Sequence, residues 1–133
     1  MNDPAPELSA ERRKVCLIDD EADIRDMYTV ALTAEGFDVV SAENGEVGLT
    51  LVHSEHPDII LLDLQMPTLD GFDVLKALRS DKDIAKIPVI ILSNTDNEDA
   101  FRKAGDFDVR FFLIKALTTP KKVAGAVREV FTS

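Results

Sequence analysis

Carboxylates stand directly after two short apolar runs of this chain. Asp63 follows residues 59–62, and Asp19 with Asp20 follows residues 15–18. Both runs are continuous and contain β-branched residues, so they predict strands that are covered on both faces. A carboxylate at the carboxyl end of such a strand lies where open α/β sheets bind their ligands. We take these three residues as the first candidates for chemistry, with simple loop capping as the alternative.

The elements that would position these carboxylates alternate along the chain. The predicted strands are residues 14–18, 37–42, 59–62, 88–92 and 111–114, and each is followed by a helical pattern. Five repeats of strand and helix predict an α/β fold with a parallel sheet, helices on both faces and right-handed crossovers. The pattern alone does not choose between the two common strand orders of such sheets.

The helical segments carry recognisable start and inward-facing signals. The predicted starts are Asn44-Gly45, Asp70-Gly71, a capping box formed by Thr95 with Glu98, and Thr119-Pro120. Apolar spacing predicts that Met27 in the first helix and Val47 in the second face the core. Gly36 is expected to end the first helix, and Gly105 is one candidate end of the fourth.

Two further strands also end in reactive side chains. The fourth predicted strand is followed by Ser93 and the fifth by Lys115. Because the carboxyl ends of parallel strands share one edge of a sheet, the fold should gather three carboxylates, a hydroxyl and an ammonium group there. Separate caps and solvated strand ends remain the alternative, but four strands ending in this way favour a site.

The clustered charges indicate a phosphoryl-transfer chemistry. Neighbouring carboxylates repel one another and resist ionisation unless a cation intervenes, and an all-oxygen cluster suits Mg²⁺. A carboxylate can act as the nucleophile and form an acyl phosphate. Asp63 is the best candidate for that role because it ends the most buried strand, whereas Asp19 and Asp20 suit metal binding.

These residues together resemble the receiver domain of two-component response regulators. The resemblance rests on residues 18–21, residues 63–71, Ser93 and Lys115, and it extends over about residues 14–131. It implies a flavodoxin-like, doubly wound sheet of strand order 2-1-3-4-5. It also implies a phosphoprotein in which a sensor histidine kinase or a histidine phosphotransfer protein phosphorylates Asp63.

The resemblance further implies a role for each site residue. Asp20 and Asp63 would bind Mg²⁺ directly, Asp19 mainly through water, and Gln65 through its backbone carbonyl. Lys115 would pair with the phosphoryl oxygens.

Two more residues match the family's switch positions. Ser93 would move to hydrogen-bond the phosphoryl group, and the rotamer of Phe112 would follow it. By pattern alone, Phe112 is as well explained as a core residue. The family's output surface consists of the fourth helix, the fifth strand and the fifth helix.

Three departures from the family pattern affect these expectations. Ala116 replaces the proline that usually follows the lysine, and we therefore predict a trans Lys115–Ala116 bond, because a cis bond before a non-proline residue costs about 2.5–4 kcal/mol. Asn94 stands where the family generally has alanine or glycine. Its amide could block the attacking water or hold it, and we favour blocking, which implies a long-lived phosphoaspartate. Residues 107–109 replace the usual glycine-alanine pair before the fifth strand.

Composition limits the partners and the location. The formal net charge of −10 argues against direct binding to nucleic acid or to an anionic membrane. The single cysteine, Cys16, lies within an apolar run and suggests a buried residue in a reducing compartment. We expect a cytoplasmic monomer or weak dimer, with residues 1–13 as a flexible tail and residues 14–133 as the receiver domain.

Other functions fit the sequence less well. An aspartyl phosphatase typically has a second aspartate two residues after its nucleophile, and here that position is Gln65. A dinucleotide-binding domain would need a glycine-rich motif after the first strand. The remaining alternative is a degenerate receiver that binds partners without phosphorylation. In the preferred reading the chain is no enzyme beyond its own phosphorylation and dephosphorylation, and a protein contact or onward phosphorelay provides its unknown output.

Overall fold

The computed structural model describes residues 12–67, 69–94 and 98–132, and these contain a parallel five-stranded sheet. The strands are β1 (Lys14–Ile18), β2 (Asp38–Ala42), β3 (Ile59–Asp63), β4 (Val89–Ser93) and β5 (Phe111–Ile114). Their order is β2-β1-β3-β4-β5, with β3 paired to β1 and β4. The predicted doubly wound α/β fold and its strand order are therefore confirmed.

Helices cover both faces of the sheet. They are α1 (Ala22–Ala34), α2 (Gly45–Glu55), α3 (Gly71–Ser80), α4 (Glu98–Gly105) and α5 (Pro120–Thr132), with a short 3₁₀ turn at Lys115–Leu117. Alternate residues of each strand point to opposite faces, so Val15 and Leu17 pack in the core under α1 and α5. Cys16 and Ile18 pack in the core under α2 and α3. This two-sided burial explains why the strands are apolar throughout.

The helix starts follow the predicted capping chemistry. The side chain of Asn44 accepts a hydrogen bond from the Val47 amide, and Asp70 accepts one from the amide of Asp73. The Thr119 hydroxyl accepts a hydrogen bond from the amide of Lys122, which directly precedes the buried Val123. Thr95, the predicted cap of α4, lies outside the described residues.

Two inward-facing predictions were wrong. Met27 and Val47 are 44% and 43% exposed. Glycine takes the place of Val47 against the sheet, because a Cβ atom added to Gly48 would lie 2.5 Å from the Cδ1 atom of Ile18. The helix therefore approaches the sheet through a glycine face, which apolar spacing does not reveal.

The segment before β1 joins the edge of the domain where the structure describes it. Residues 1–11 of the predicted tail lie outside the described residues. The Arg12 guanidinium pairs with the Asp38 carboxylate at 3.1 Å, and that of Arg13 lies 4.8 Å from the ring centroid of Phe131. None of the helices in the described part of the chain has the length and apolar character that a membrane crossing requires.

Candidate functional site

The register of the sheet brings the reactive strand ends to one edge. Ile18 pairs with Leu62, Asp63 with Leu92, and Ser93 with Ile114. The residues at or directly after these carboxyl ends are Asp19, Asp63, Ser93 and Lys115. We call the edge that carries these four residues the carboxyl edge.

Three polar residues of this edge are completely buried. Asp19, Asp63 and Ser93 are each 0% exposed. Asp19 Oδ1 accepts a hydrogen bond of 2.9 Å from the backbone amide of Glu21, and Asp63 Oδ1 accepts one of 3.1 Å from that of Gln65. One oxygen of each carboxylate is thus fixed by the loop that follows its strand.

The other carboxylate oxygens face Lys115. The Lys115 Nζ atom lies 2.7 Å from Asp19 Oδ2, 3.4 Å from Asp63 Oδ2 and 3.6 Å from an oxygen of Glu21. Lys115 thus forms ion pairs with both buried carboxylates. Apart from these ion pairs, Asp19 Oδ2, Asp63 Oδ2 and Lys115 Nζ have no hydrogen-bond partner among the described residues. Buried polar atoms in this state gain from a further ligand.

The loop after β5 delivers the ammonium group as expected without a proline. The described residues contain no cis peptide bond, which confirms the predicted trans Lys115–Ala116 bond. The chain enters the 3₁₀ turn Lys115–Leu117 at once, and the Lys115 side chain is 8% exposed.

Burial and mutual repulsion perturb the titration of the site. Burial, followed by the negative charge of Asp19, raises the pKa of Asp63 from 3.8 to about 7, although Lys115 and the Gln65 amide oppose the shift. Burial alone would lower the pKa of Lys115, but its contact with Asp19 and the surrounding carboxylates outweigh burial and raise it. Without a further cation, Asp63 is therefore only partly ionised at neutral pH.

A hard divalent cation fits the donor set. Asp19, Asp20 and Glu21 place carboxylate oxygens within 4.8 Å of one another, and the Asp20 side chain also contacts Asp63. Oxygen donors of this kind suit Mg²⁺. One ammonium group, that of Lys115, faces both Asp19 Oδ2 and Asp63 Oδ2, so a further cation would offset the negative charge that Lys115 leaves.

The sequence predictions omitted two neighbours of the site. Glu21 directly follows Asp20 and approaches Lys115, and its adjacency to the acidic pair was a signal that could have found it. The Arg25 guanidinium donates a hydrogen bond of 2.7 Å to the Asp19 carbonyl. No pattern in the sequence distinguishes Arg25 from an ordinary exposed helix residue.

The loops after β3 and β4 are joined by a side chain. Gln65 Oε1 accepts a hydrogen bond of 2.9 Å from the backbone amide of Asn94, the residue after Ser93. Asn94 itself is exposed. The predicted roles of the Gln65 carbonyl and the Asn94 side chain remain predictions.

Phe112 lies in β5 against helix α4. It is half-buried, and its ring meets that of Phe101 edge-on, with centroids 5.5 Å apart and an angle of 81° between the planes. Phe101 is 62% exposed. Movement of either ring would alter this contact, and the predicted switch role of Phe112 remains a prediction.

The strand order of the sheet and the polar residues at its carboxyl edge together are typical of a two-component signalling domain. The family model of the response regulator receiver domain matches residues 15–128 of this chain. The chain belongs to this family, as the sequence resemblance implied. Its acidic residues at the end of β1 are compatible with a magnesium site.

Individual relatives support the same assignment. The chain is 35% identical over 120 residues to a probable transcriptional regulator, ycf27, of Porphyridium aerugineum, and the match covers 90% of this chain and 48% of that protein. The chain thus spans about half the length of the curated relatives that it matches.

Solved structures show the same fold. Chemotaxis protein CheY4 of Vibrio cholerae superposes with a TM-score of 0.83 at 24% identity, covering 90% of this chain and 98% of its own. A structure described as the phosphorylated cyanobacterial phytochrome response regulator RcpA gives a TM-score of 0.79 at 27% identity, with 92% and 95% covered.

Proposed function

We propose that this receiver domain accepts a phosphoryl group from a phosphohistidine donor onto Asp63. The observation that carries the proposal is the completely buried Asp63 carboxylate, whose Oδ2 atom lacks a hydrogen bond and faces Lys115 at 3.4 Å. A carboxylate that only capped a loop would engage its oxygens with amide groups, as Oδ1 does. The related RcpA structure is described as phosphorylated, which supports the same chemistry here.

The proposed transfer is a nucleophilic displacement at phosphorus, in which Asp63 replaces the donor imidazole. An oxygen of ionised Asp63 forms a bond to phosphorus, the phosphorus–nitrogen bond of the donor breaks, and the donor imidazole leaves with that electron pair. The Lys115 ammonium stabilises the negative charge on the transferred oxygens. The raised pKa of Asp63 belongs to the metal-free site, so a bound cation would increase the ionised fraction that can attack phosphorus.

The proposed metal is Mg²⁺, bound directly by Asp20, Asp63 and the backbone carbonyl of Gln65, with Asp19 acting through water. Such an ion supplies positive charge to the phosphoryl oxygens. In this chain the acidic residues would hold the ion and keep Asp63 ionised, while Lys115 would exchange its contact with Asp19 for one with the phosphoryl group.

The proposed output is a change of surface. Phosphorylation adds about −1.5 to −2 charge, and Ser93 with Phe112 would convey the change to α4 and β5. The direct partners would be a sensor histidine kinase or histidine phosphotransfer protein and an unidentified downstream protein, for a cytoplasmic monomer or weak dimer formed by residues 14–133. Relatives that are transcriptional regulators are about twice as long, so our proposal of no nucleic-acid contact concerns this domain only.

Intact-mass measurement tests the proposal. The wild-type chain is incubated with a small-molecule phosphodonor in Mg²⁺ or in EDTA, beside Asp63→Asn and the exposed control Asp106→Asn. We expect one added phosphoryl group in the wild type and in Asp106→Asn, dependent on Mg²⁺, and none in Asp63→Asn. No added mass in any variant would refute the proposal and favour a degenerate receiver.

A further inference from the structure

A cavity lined by charged residues lies at the amino ends of the strands, at the opposite edge of the sheet from Asp63. It has a volume of about 240 Å³ and is lined by Arg79, Ala85, Lys86, Pro88, Asp108 and Arg110. Arg79 belongs to the last turn of α3, Pro88 precedes β4, and Arg110 precedes β5. We call this the amino-edge cavity.

Arg79 lines this cavity, and four hydrogen bonds hold its guanidinium in position. Its guanidinium donates to the carbonyls of Phe107, Ala85 and Ile87 at 2.8–3.0 Å and to that of Asp108 at 3.3 Å. These bonds use four of the five guanidinium N–H groups, which leaves one donor on Nη2. Since the partners are neutral carbonyls, the positive charge is fixed without a carboxylate at ion-pair distance in the described part of the chain.

The charged residues that line the cavity are mostly cationic, although the whole protein is acidic. Arg79, Lys86 and Arg110 are the cations of the lining and Asp108 is its anion, whereas the chain carries a formal net charge of −10. A local positive potential inside a concave, partly desolvated surface favours an anion. Burial lowers the pKa of Arg79, and the nearby negative charge of Asp108 opposes that shift.

We propose that the amino-edge cavity binds a phosphate group, carried either by inorganic phosphate or by a small phosphorylated metabolite. The cavity is smaller than the roughly 300–1,000 Å³ that is typical of sites for drug-sized ligands, so the ligand must be small. Arg79 would donate its remaining N–H, and Lys86 with Arg110 would close over the anion from the exposed side. The bound group would join α3 to the starts of β4 and β5.

Amide shifts in nitrogen-15 NMR spectra test this site separately from the phosphoacceptor. Sodium phosphate is titrated in EDTA at constant ionic strength, with sodium chloride as the reference. We expect saturable shifts at the amides of Lys86, Asp108 and Arg110, without matching shifts at Gln65 and Asn94. The same titration with ribose 5-phosphate shows which source of the phosphate group binds more tightly.

Variants change the affinity in opposite directions if the proposal holds. The double variant Lys86→Gln with Arg110→Gln should weaken binding by about tenfold, whereas Asp108→Asn should strengthen it by removing the negative charge. Asparagine tolerates the positive φ of 57° at this position, so the backbone is retained. Lys82→Gln, whose residue does not line the cavity, is the control and should bind like the wild type.

Shifts that do not saturate would overturn the proposal. So would equal affinities in the control and the double variant, or a weaker site in Asp108→Asn. Arg79 is left unchanged throughout, because its loss would disturb the fold as well as the cavity.

Discussion

The charged groups at the two edges of the sheet differ in burial and in hydrogen bonding. At the amino edge, Arg79 bonds to four carbonyls and the Asp58 carboxylate accepts the Lys14 amide at 2.8 Å. At the carboxyl edge, Asp19, Asp63 and Lys115 each retain a buried polar atom without a hydrogen bond. Both edges belong to the same strands, so the difference arises from the side chains and loops that follow them.

We infer from this difference that the amino-edge residues stabilise the fold, whereas the carboxyl-edge residues are available to the proposed ligands. A satisfied buried group adds modest net stability, whereas an unsatisfied one costs about 1–3 kcal/mol. The amino edge should therefore lose stability when its charges are removed. The carboxyl edge should gain stability when its excess charge is removed, at the expense of function.

The largest expected effect is the stability of Asp63→Asn in EDTA. Because the pKa of Asp63 is higher in the folded protein, about 7 against 3.8, the folded state binds the proton more tightly. Stability therefore falls as pH rises from about 4 to 7, and at pH 8 the penalty is as much as about 4 kcal/mol. Asp63→Asn should remove this fall.

Urea unfolding at about pH 5 and 8 measures this difference. Asp58→Ala is the matched control, because it removes the acceptor of the Lys14 amide at the amino edge and should be less stable than the wild type. The difference in free energy of unfolding between Asp63→Asn and the wild type should be larger at pH 8 than at pH 5. An equal difference at the two pH values would show that the Asp63 charge is already compensated.

Arg79→Met should have the next largest effect, with the opposite sign. It leaves four carbonyls without their donor, and a loss of roughly 2–3 kcal/mol is expected because water can reach part of the region. Arg102→Met, which removes only an exposed contact with Asp99, should cost at most about 0.5 kcal/mol. Equal midpoints of urea unfolding for the two variants would remove the distinction between the edges.

The smallest effect concerns the lifetime of the phosphoryl group. Asn94 follows Ser93, and its backbone amide is bonded to Gln65. If its exposed side chain hinders the attacking water, Asn94→Ala should lose the phosphoryl group several-fold faster without a change in stability. A lifetime equal to that of the wild type, followed by intact mass after removal of the donor, would mean that Asn94 has no such role.

The sequence was enough to predict the polar residues that end the strands, because each of them directly follows a continuous apolar run. An apolar run followed by Asp63 or Lys115 predicts both a buried strand and the edge at which its end lies. The order of the strands in the sheet could be predicted only from the resemblance to receiver domains. The apolar faces of the helices did not show which face of the sheet each helix covers.

The remaining features depend on contacts that a one-dimensional pattern does not encode. Val47 faces solvent because Gly48 takes the close approach to Ile18. Arg79 looks like an ordinary last-turn arginine, yet its partners are carbonyls from residues as far away as Phe107. Glu21 follows the acidic pair in the sequence, but its approach to Lys115 depends on the fold, which brings the ends of β1 and β5 together.

The most direct measurement is to locate the phosphoryl group by chemical trapping. Borohydride reduces an acyl phosphate to the alcohol, so a phosphorylated aspartate becomes homoserine, and peptide mass spectrometry identifies the position. Phosphorylation of Asp63 predicts homoserine at residue 63 alone, and only in protein treated with donor and Mg²⁺. Homoserine at Asp19 or Asp20, or reduction at no position in a protein that has gained phosphoryl mass, would contradict it.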